Sequence, residues 1–276
     1  MVQSRGTCRY FFKPQDKDEL IKFLNEIKNN NYKIHILGAG SNTLIRDSGV
    51  KGVVIKLGSK FSDIKLLGKD TIEVGASTLD RKVSDFAKNN EITDMEFLSC
   101  IPGSIGGAVI MNSGCYGSDI SEILLSIRVI DDKGIEKEMT NDEIKFYYRG
   151  SDLPKNYIIL SAILKGTVSS KKLIEKKQSD LIQRKKESQP SQIKTAGSTF
   201  KNNNGKKAWE LIKESGCDKF YVGGAKISDK HCNFFVNKGK AKASDIERLI
   251  NKVKKVVKIK TGVSLELEIK IIGNEK

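Results

Sequence analysis

The chain is poor in the residues from which most structural metal sites are built. Its 276 residues include only two histidines, and none of its five cysteines belongs to a C-x-x-C pair. A zinc site needs about four such ligands at close spacing. We therefore predict no metal site, and we expect the odd number of scattered cysteines to stay reduced, as thiols do in the cytoplasm.

Long apolar segments are also missing. Apolar stretches such as Tyr157–Leu160 end after a few residues, whereas a membrane-spanning helix needs roughly 20 apolar residues. The stretch Met1–Phe12 has no apolar core followed by a small-residue cleavage site, so no secretory signal is expected. These features predict a cytoplasmic protein without a membrane partner.

Positive charge is what the chain has in excess. Its 49 lysines and arginines against 34 acidic residues give a formal charge of +15, which suits nucleic acid, anionic lipid or a phosphorylated small molecule. Much of the lysine lies on predicted helices with few aromatic residues nearby, and single-strand binders stack bases on aromatics. We interpret the lysines as solvated surface and expect no nucleic-acid partner. A nucleic-acid-binding module remains the alternative from a different functional class.

Hydrophobic periodicity predicts an α+β protein. Helices are expected where apolar residues recur every three to four positions, and strands where short β-branched runs end at glycine. The predicted helices are Asp16–Asn29, one that buries Leu79, Val83, Phe86 and Ala87, then Ser169–Ser188, Lys206–Ser215 and Asp245–Lys260. The predicted strands are Lys33–Leu37, Gly52–Leu57, Thr71–Val74, Leu125–Asp131, Tyr157–Lys165 and Ser264–Ile272.

Three details of the helices can be compared directly with a structure. Ser244 and Glu247 have the spacing of a capping box at the start of the last helix. Leu173 is expected to face inward together with the leucine and isoleucines of the lysine-rich helix. Trp209 lies at helical spacing from an isoleucine, which favours core packing over stacking on a ligand.

Three glycine-rich turns are the clearest functional signal. They are Gly38-Ala39-Gly40-Ser41-Asn42, Gly75-Ala76-Ser77 and Ile101-Pro102-Gly103-Ser104-Ile105-Gly106-Gly107-Ala108. Glycine lets backbone N–H groups approach an anion, so three such turns could cradle a pyrophosphate. The first turn begins like the fingerprint G-x-G-x-x-G, but Thr43 replaces the third glycine and no long helix follows. Tight turns of a β-rich domain are the structural alternative.

Together with later segments, these turns resemble the UDP-N-acetylenolpyruvoylglucosamine reductase family. The matching segments follow the family's order over nearly the whole chain: Gly38–Leu44, Glu96–Ala108, Met111–Gly117, Tyr147–Ser151, Gly197–Asn202, Gly223–Phe234 and Leu265–Ile269. The spacing from Arg149 to Gly197 resembles the shorter, second class of these enzymes. The family usually has an N-T-x-R-x-G-G segment after a first strand. Here Arg5-Gly6-Thr7 follows Met1 almost directly, and we expect the first strand and part of the adenine-side contact to be lost.

The resemblance implies a fold and a domain order. The fold is the FAD-binding fold shared with vanillyl-alcohol oxidase and p-cresol methylhydroxylase, with two α+β subdomains and a C-terminal α+β substrate lobe. We place the first subdomain at 1–58, with the strand 264–273 returning to it, the second at 59–168, and the substrate lobe at 169–263. A monomer is expected.

The resemblance also implies cofactors and a reaction. FAD is bound, NADPH is the co-substrate, and UDP-N-acetylglucosamine enolpyruvate is reduced to UDP-N-acetylmuramate in peptidoglycan precursor synthesis. Hydride goes to the enolpyruvyl methylene carbon and a proton to its neighbour. Arg149 matches the cation beside the substrate carboxylate, Ser198 the general acid, and Glu268 the carboxylate that acts with the arginine.

Further positions follow from the same resemblance. Lys201, Asn202 and Asn112 match substrate-binding positions. The cofactor-binding positions all lie in the three turns: Gly38, Ala39, Gly40, Ser41, Asn42, Gly75, Ala76, Ser77, Ile101, Pro102, Gly103, Ser104, Gly106, Gly107 and Ala108.

Each assignment has an ordinary alternative. Arg149 could be a surface arginine, Ser198 a turn residue and Glu268 the polar face of an edge strand. Another flavin-dependent oxidase or dehydrogenase of the same fold is the alternative function. Cys100 stands where the family usually has glycine and is expected to fill a small-residue position, and a structural or substrate-adjacent role is expected for His231.

Overall fold

The structure, a computed structural model, describes residues 7–191, 193–203 and 205–274. Its helices are α1 Lys17–Ile27, α2 Asp80–Asn89, α3 Ile105–Ile110, α4 Ile120–Ile123, α5 Lys171–Ser188, α6 Ala208–Glu214 and α7 Ala243–Thr261. Its strands are β1 Cys8–Phe12, β2 Ile34–Ile36, β3 Thr43–Ile45, β4 Val50–Ile55, β5 Ile64–Leu66, β6 Thr71–Gly75, β7 Ile92–Thr93, β8 Gly114–Cys115, β9 Ser118–Asp119, β10 Leu124–Ile130, β11 Glu136–Thr140, β12 Phe146–Tyr147, β13 Gly150–Ser151, β14 Ile158–Lys165, β15 Thr167–Val168, β16 Thr195–Ser198, β17 Tyr221–Val222, β18 Ala225–Ile227, β19 Phe234–Asn237 and β20 Lys270–Ile272. Arg5 and Gly6 of the expected N-terminal segment lie outside the described residues, and the strand β1 follows shortly after them.

The chain divides into two units, each with a hydrophobic core of its own. Unit 1 takes its residues from 1–9, 40–51 and 186–276, and unit 2 takes its residues from 10–39 and 52–185. The chain thus crosses from one unit to the other several times. The three-part division into 1–58, 59–168 and 169–263 stays a prediction.

Unit 2 is organised around a five-stranded antiparallel sheet in the order β11-β10-β14-β6-β5. Its central strand β14 pairs Ala162 with Ile127 of β10 and with Val74 of β6. These apolar positions are buried, because the sheet covers the core of the unit with one face. Strand β6 runs directly into the predicted turn Gly75-Ala76-Ser77. A smaller sheet, β1-β4-β2, pairs β2 and β4 in parallel.

Unit 1 combines a four-stranded antiparallel sheet, β16-β19-β18-β17, with helices α6 and α7. The predicted stripe of α7 is confirmed, since Ile246, Leu249, Ile250 and Val253 are all buried. The predicted strand Ser264–Ile272 is regular only at its end, where β20 pairs in parallel with β3. Before that point, Leu267 forms a single bridge with Phe200.

The start of α7 differs from the prediction. The helix begins at Ala243, and the carboxylate of Asp47 accepts the N–H groups of Ala243 and Ser244 at 2.8 and 2.9 Å. Glu247 instead pairs with Arg46 at 2.9 Å. The predicted Ser244–Glu247 capping box is therefore wrong, because a residue far away in sequence supplies the capping oxygen, a contact worth ~1 kcal/mol.

Helix α5 buries a narrower stripe than predicted. Ile174 is buried, but Leu173 is 57% exposed, so its predicted inward orientation is wrong. The polar residue Gln178 is buried one turn after Ile174 and donates to the hydroxyl of Ser84 at 3.1 Å. Position 178, four residues after 174, continues the buried face, whereas 173 lies beside it.

Helix α2 does not include Leu79. Leu79 precedes the helix as its N-cap residue and is 47% exposed, so its predicted place on the buried face is wrong. Val83 and Ala87 are buried as expected. In the part of the chain that the structure describes, no helix has the length and apolar character needed to cross a membrane.

Candidate functional site

The second and third glycine turns lie against each other in unit 2. The N–H of Ile105 donates to the carbonyl of Thr78 at 3.0 Å. The N–H of Gly106 donates to the carbonyl of Ala76 at 2.9 Å. Two segments that are distant in sequence are thus aligned at the place where α2 and α3 begin.

Two glycines leave space for polar side chains near these turns. A Cβ at Gly38 would lie 2.6 Å from the hydroxyl oxygen of Ser104. A Cβ at Gly103 would overlap the carboxyl group of Asp80. Any larger residue at either position would displace a buried polar group. Gly38, the 75–78 segment and the 103–106 segment therefore lie close together in unit 2, and each glycine turn contributes to this one site.

The polar groups around these turns are buried without hydrogen-bond partners among the described residues. They are the Thr78 hydroxyl, both carboxyl oxygens of Asp80 and the Ser104 hydroxyl. Leaving one such group unsatisfied costs about 1–3 kcal/mol, so a native protein keeps several together only for a reason. The Ser215 hydroxyl is in the same condition, but it follows α6 in unit 1 and is not part of this group.

Asp80 shows how strongly burial next to these turns changes the pKa of a carboxyl group. Burial raises the pKa of its carboxyl well above the usual value of 3.8. The Gly103 N–H approaches the carboxyl and lowers the pKa, but it does not complete a hydrogen bond and burial prevails. Asp80 is therefore a carboxylic acid that can stay protonated and donate its O–H.

These residues fit a flavin dinucleotide. The hydroxyls of Thr78 and Ser104 and the protonated Asp80 can donate to and accept from a polar ligand that carries hydroxyl and phosphate oxygens. Backbone N–H groups next to glycine are unobstructed by side chains, as a diphosphate requires. Sequence reasoning included Ser104 but missed Thr78 and Asp80, since nothing in their sequence context distinguishes them from ordinary helix-start residues.

The first glycine turn crosses the boundary of the two units. Gly38 and Ala39 belong to unit 2, and Gly40, Ser41 and Asn42 belong to unit 1. Gly40 has a φ of +70°, a left-handed conformation that glycine adopts without strain. The turn ends where β3 begins and pairs with the C-terminal strand β20.

In unit 1, Ser198 and Glu268 lie on neighbouring backbone segments. The N–H of Glu268 donates to the carbonyl of Thr199 at 2.9 Å. Two residues after Thr199, the N–H of Lys201 donates to the carbonyl of Glu266, also at 2.9 Å. Ser198 and Glu268 are both half-buried. The structure thus brings the predicted general acid and the predicted carboxylate onto adjacent segments.

Asn233 fixes this segment from the opposite side, and the sequence prediction missed it. Its side-chain oxygen accepts the N–H of Phe200 at 2.9 Å, and its side-chain amide donates to the Phe200 carbonyl at 2.8 Å. Its backbone carbonyl accepts the N–H of Thr199 at 2.8 Å. Asn233 is buried, and its position within the signature Gly223–Phe234 was the available signal.

Arg149 belongs to unit 2, in the tight hairpin of β12 and β13. Its backbone has a φ of +58°, which costs a non-glycine residue ~1 kcal/mol and often marks a functional position. Its guanidinium donates to the carbonyl of Gly114 at 2.7 Å and lies 4.8 Å from the centre of the Tyr148 ring. These contacts hold a half-buried cation in place.

The predicted substrate-binding residues also have structural contacts. Asn112 is buried, and its side-chain oxygen accepts the N–H of Ser121 at 3.0 Å. The side-chain oxygen of Asn202 accepts the N–H of Ala208 at 3.1 Å, at the start of α6. Lys201 is half-buried next to the Glu266 segment. Their roles toward a substrate stay predictions.

His231 and Trp209 form part of an aromatic group in unit 1. Their ring centres are 6.3 Å apart, and Trp209 is half-buried, so it is not the core residue that helical spacing predicts. His231 packs edge-on against Phe234 at 4.9 Å and accepts the N–H of Asn233 at 3.2 Å. Burial lowers the pKa of His231 below 6.5, which favours the neutral ring that this accepted hydrogen bond requires.

Two family models match the chain. The model described as "UDP-N-acetylenolpyruvoylglucosamine reductase, C-terminal domain" matches residues 189–272, and the model "FAD binding domain" matches residues 8–140. The first match contains Ser198, Asn233 and Glu268. The second contains all three glycine turns and the unpartnered polar groups of unit 2.

The similar proteins bear related names. The chain is 47% identical over 270 residues to the UDP-N-acetylenolpyruvoylglucosamine reductase of Pelagibacter ubique, covering 97% of this chain and 89% of that protein. The same-named protein of Wolbachia pipientis is 43% identical, with coverage of 98% and 90%. The crystal structure of the corresponding reductase from Thermus caldophilus has a TM-score of 0.83 and 32% identity, and the match covers 95% of this chain and 91% of that one.

The sequence likeness, the matched fold and the cofactor-suited turns agree with one another over almost the whole chain. The predicted α+β FAD-binding fold is confirmed by the matching domain and by the solved reductase. The chain belongs to the UDP-N-acetylenolpyruvoylglucosamine reductase family and is an FAD-containing oxidoreductase.

Proposed function

We propose that this protein catalyses the NADPH-dependent reduction of UDP-N-acetylglucosamine enolpyruvate to UDP-N-acetylmuramate, with FAD as its bound cofactor. The product is a precursor of peptidoglycan, which links the activity to cell-wall synthesis, cell shape and division. One observation carries the proposal. Ser198 and Glu268 are fixed on adjacent segments of unit 1 by the 2.9 Å bond from Glu268 N–H to the Thr199 carbonyl.

The residues that would hold FAD are those around the glycine turns of unit 2. Thr78, Asp80 and Ser104 supply buried polar atoms that have no hydrogen-bond partner among the described residues. Bound FAD supplies the two-electron redox chemistry that amino-acid side chains lack. The neutral form of Asp80 avoids charge repulsion with a diphosphate, because its pKa is raised by burial.

Ser198 would donate the proton that completes the reduction. A serine hydroxyl is a weak acid, but the carbon that receives the proton is carbanion-like and far more basic than water. The strand pairing Ser198↔Phe234 and the Asn233 contacts fix the backbone around the hydroxyl. Orientation of this kind keeps the donor in place without a cost at the moment of transfer.

Arg149 and Glu268 would act on the charge that develops next to the substrate carboxylate. The Arg149 guanidinium is held by the Gly114 carbonyl, and a planar guanidinium can bind a carboxylate through two hydrogen bonds. A fixed cation stabilises developing negative charge more than a mobile one does. Glu268 would steady the enol form of the substrate.

The proposal includes where and in what form the protein acts. We propose that it works in the cytoplasm as a monomer and that its excess positive charge attracts anionic substrates rather than nucleic acid. All five cysteines are free thiols, which supports a reducing compartment. Sedimentation analysis and a DNA-binding measurement at low and high salt test the last two points.

An absorbance spectrum tests the proposed function. The purified protein should be yellow, NADPH should bleach the colour, and the enolpyruvyl UDP-sugar should restore it without oxygen. Colour restored by oxygen but not by the sugar would favour another flavin-dependent oxidase or dehydrogenase of the same fold. A protein that stays colourless after incubation with FAD would refute both.

A further inference from the structure

Two cysteines of unit 2 lie on segments that pack together, and the proposed reaction uses neither of them. Cys100 ends the short 3-10 turn Glu96–Cys100, which packs against strand β8, where Cys115 lies. The S–H of Cys115 donates to the carbonyl of Phe97 on this turn at 3.5 Å, and the hydroxyl of Ser99 lies 3.7 Å from the sulfur of Cys100. The sulfurs of both cysteines thus lie at the same turn.

Positive charge surrounds the pair. The Lys185 ammonium donates to the carbonyl of Cys100 at 2.7 Å, and its charge acts on both sulfurs. The charge of Arg149 also acts on Cys115, and its guanidinium binds the carbonyl of the preceding residue, Gly114. A thiolate forms readily in such surroundings.

The two sulfurs differ in acidity. The neighbouring Cys115 thiol, helped by Ser99 and Lys185, lowers the pKa of Cys100 to about 6 even though burial opposes the change. The neighbouring Cys100 sulfur, together with burial, raises the pKa of Cys115. At neutral pH these shifts favour the thiolate form of Cys100 and the protonated form of Cys115.

We propose that Cys100 and Cys115 form a redox modification site that a hydroperoxide oxidises to a disulfide. The Cys100 thiolate attacks one peroxide oxygen, the S–O bond forms, the O–O bond breaks, and the leaving oxygen is protonated and departs as water from hydrogen peroxide or as an alcohol from an organic hydroperoxide. The Cys115 sulfur then loses its proton and attacks the Cys100 sulfur, the S–S bond forms, and the S–O bond breaks as the hydroxyl leaves as water. With hydrogen peroxide the two thiols lose two electrons, and one peroxide becomes two waters.

Cys217 and Cys232 are less suited to this reaction. Burial raises the pKa of both Cys217 and Cys232, so these thiols stay protonated at neutral pH. Attack on peroxide needs the thiolate, and oxidation should therefore select the pair in unit 2.

The position of the pair suggests what oxidation would change. Cys100 directly precedes the cofactor turn that starts at Ile101, and Cys115 directly follows Gly114, the acceptor for Arg149. A disulfide would bind these two segments covalently and replace the thiol contacts. We expect oxidised enzyme to turn over the sugar several-fold more slowly, and a reductant such as dithiothreitol to restore the rate. This last expectation rests on the proposed function, whereas disulfide formation does not.

Cleavage with cyanogen bromide gives a direct test. The chain has four methionines, at positions 1, 95, 111 and 139, so cleavage after Met111 separates Cys100 from Cys115. Holoenzyme treated with one equivalent of hydrogen peroxide and then alkylated should give the fragments 96–111 and 112–139 joined as one species. Dithiothreitol should separate them. Two alkylated, unjoined fragments would overturn the proposal whether or not the enzyme has the proposed activity.

Variants distinguish this pair from other thiol oxidation. Cys115→Ser should stop the reaction at the sulfenic acid of Cys100, which dimedone traps, whereas the parent protein should yield little dimedone adduct. Cys8→Ser, which alters a half-buried cysteine of unit 1, should form the same joined fragments as the parent. Joined fragments containing Cys8, Cys217 or Cys232 in place of the pair would contradict the assignment.

Discussion

The side-chain amide of Asn42 donates to the backbone carbonyl of Glu268 at 3.1 Å. The backbone carbonyl of Asn42 accepts the N–H of Lys270 at 2.9 Å. A residue of the first glycine turn is thus tied at two points to the segment that carries the proposed catalytic carboxylate. Both bonds lie within unit 1. A change in the turn therefore reaches Glu268 through one side chain.

Asn42→Ala should lower the kcat for the sugar about fivefold. The variant loses the hydrogen bond that holds the Glu268 carbonyl, a loss of about 1 kcal/mol in positioning. Stopped-flow measurement of flavin reoxidation by the sugar gives this rate separately from reduction by NADPH. The control is Asn274→Ala, because Asn274 also donates to a backbone carbonyl of unit 1, that of Gly49, at 3.4 Å. Equal loss of rate in both variants would show that Asn42 has no special role.

Asn233→Ala should destabilise the protein and slow proton transfer together. Two side-chain hydrogen bonds to Phe200 disappear, and two buried backbone groups lose their partner, which costs about 2–4 kcal/mol. Asn233→Asp should be no more stable than Asn233→Ala at neutral pH, because it buries a charge and places a carboxylate oxygen against the Phe200 carbonyl oxygen, where neither can donate. Urea denaturation at neutral pH measures the order. An Asn233→Asp variant as stable as the parent would refute this account of the contact.

Ser198→Ala should separate the two stages of turnover. Reduction by NADPH should stay within about twofold of the parent, whereas turnover of the sugar should fall by ~10²–10⁴, the usual range for loss of a general acid. Ser264→Ala, at an exposed serine of the same unit, serves as the matched control. If both stages of Ser198→Ala slowed equally, Ser198 would not be the proton donor.

The stability of flavin-free protein should depend on pH through Asp80. The folded pKa is raised above the unfolded value of 3.8, so the folded state binds this proton more tightly. The contribution of Asp80 to stability is full below pH 3.8 and is lost as the pH rises through the folded pKa. Asp80→Asn cannot ionise, so its advantage in unfolding free energy over the parent should grow from pH 5 to pH 8.

Urea titrations of the stripped protein at several pH values measure this difference. The control is Asp63→Asn, at an exposed aspartate of the same unit. An advantage of Asp80→Asn that is constant with pH would show that the Asp80 carboxyl is not the buried acid described.

Patterns within one segment predicted the helices and strands well, whereas contacts between distant segments could not be predicted. The buried stripe of α7 follows from spacing within one segment, and it is confirmed. The predicted capping box of α7 is wrong because the capping carboxylate belongs to Asp47, which lies 196 positions before Ala243. The same holds for the unpartnered polar groups, since Thr78 and Asp80 become buried only when two remote turns pack together. Resemblance named Ser198 and Glu268, but the role of Asn233 as their support required the hydrogen bonds themselves.

The pairing of β3 with β20 has a consequence for synthesis on the ribosome. Strand β3, residues 43–45, can pair only after residues 270–272 have been synthesised, so more than 220 further residues must be made before this pair can form. Unit 2 ends at Lys185, so its sheet strands can pair well before that point in synthesis. The nascent chain should therefore acquire protease resistance in two steps, with the segment 40–51 protected last. Until then β3 is an unpaired strand edge, which makes the late nascent chain a substrate for chaperones that bind exposed strands.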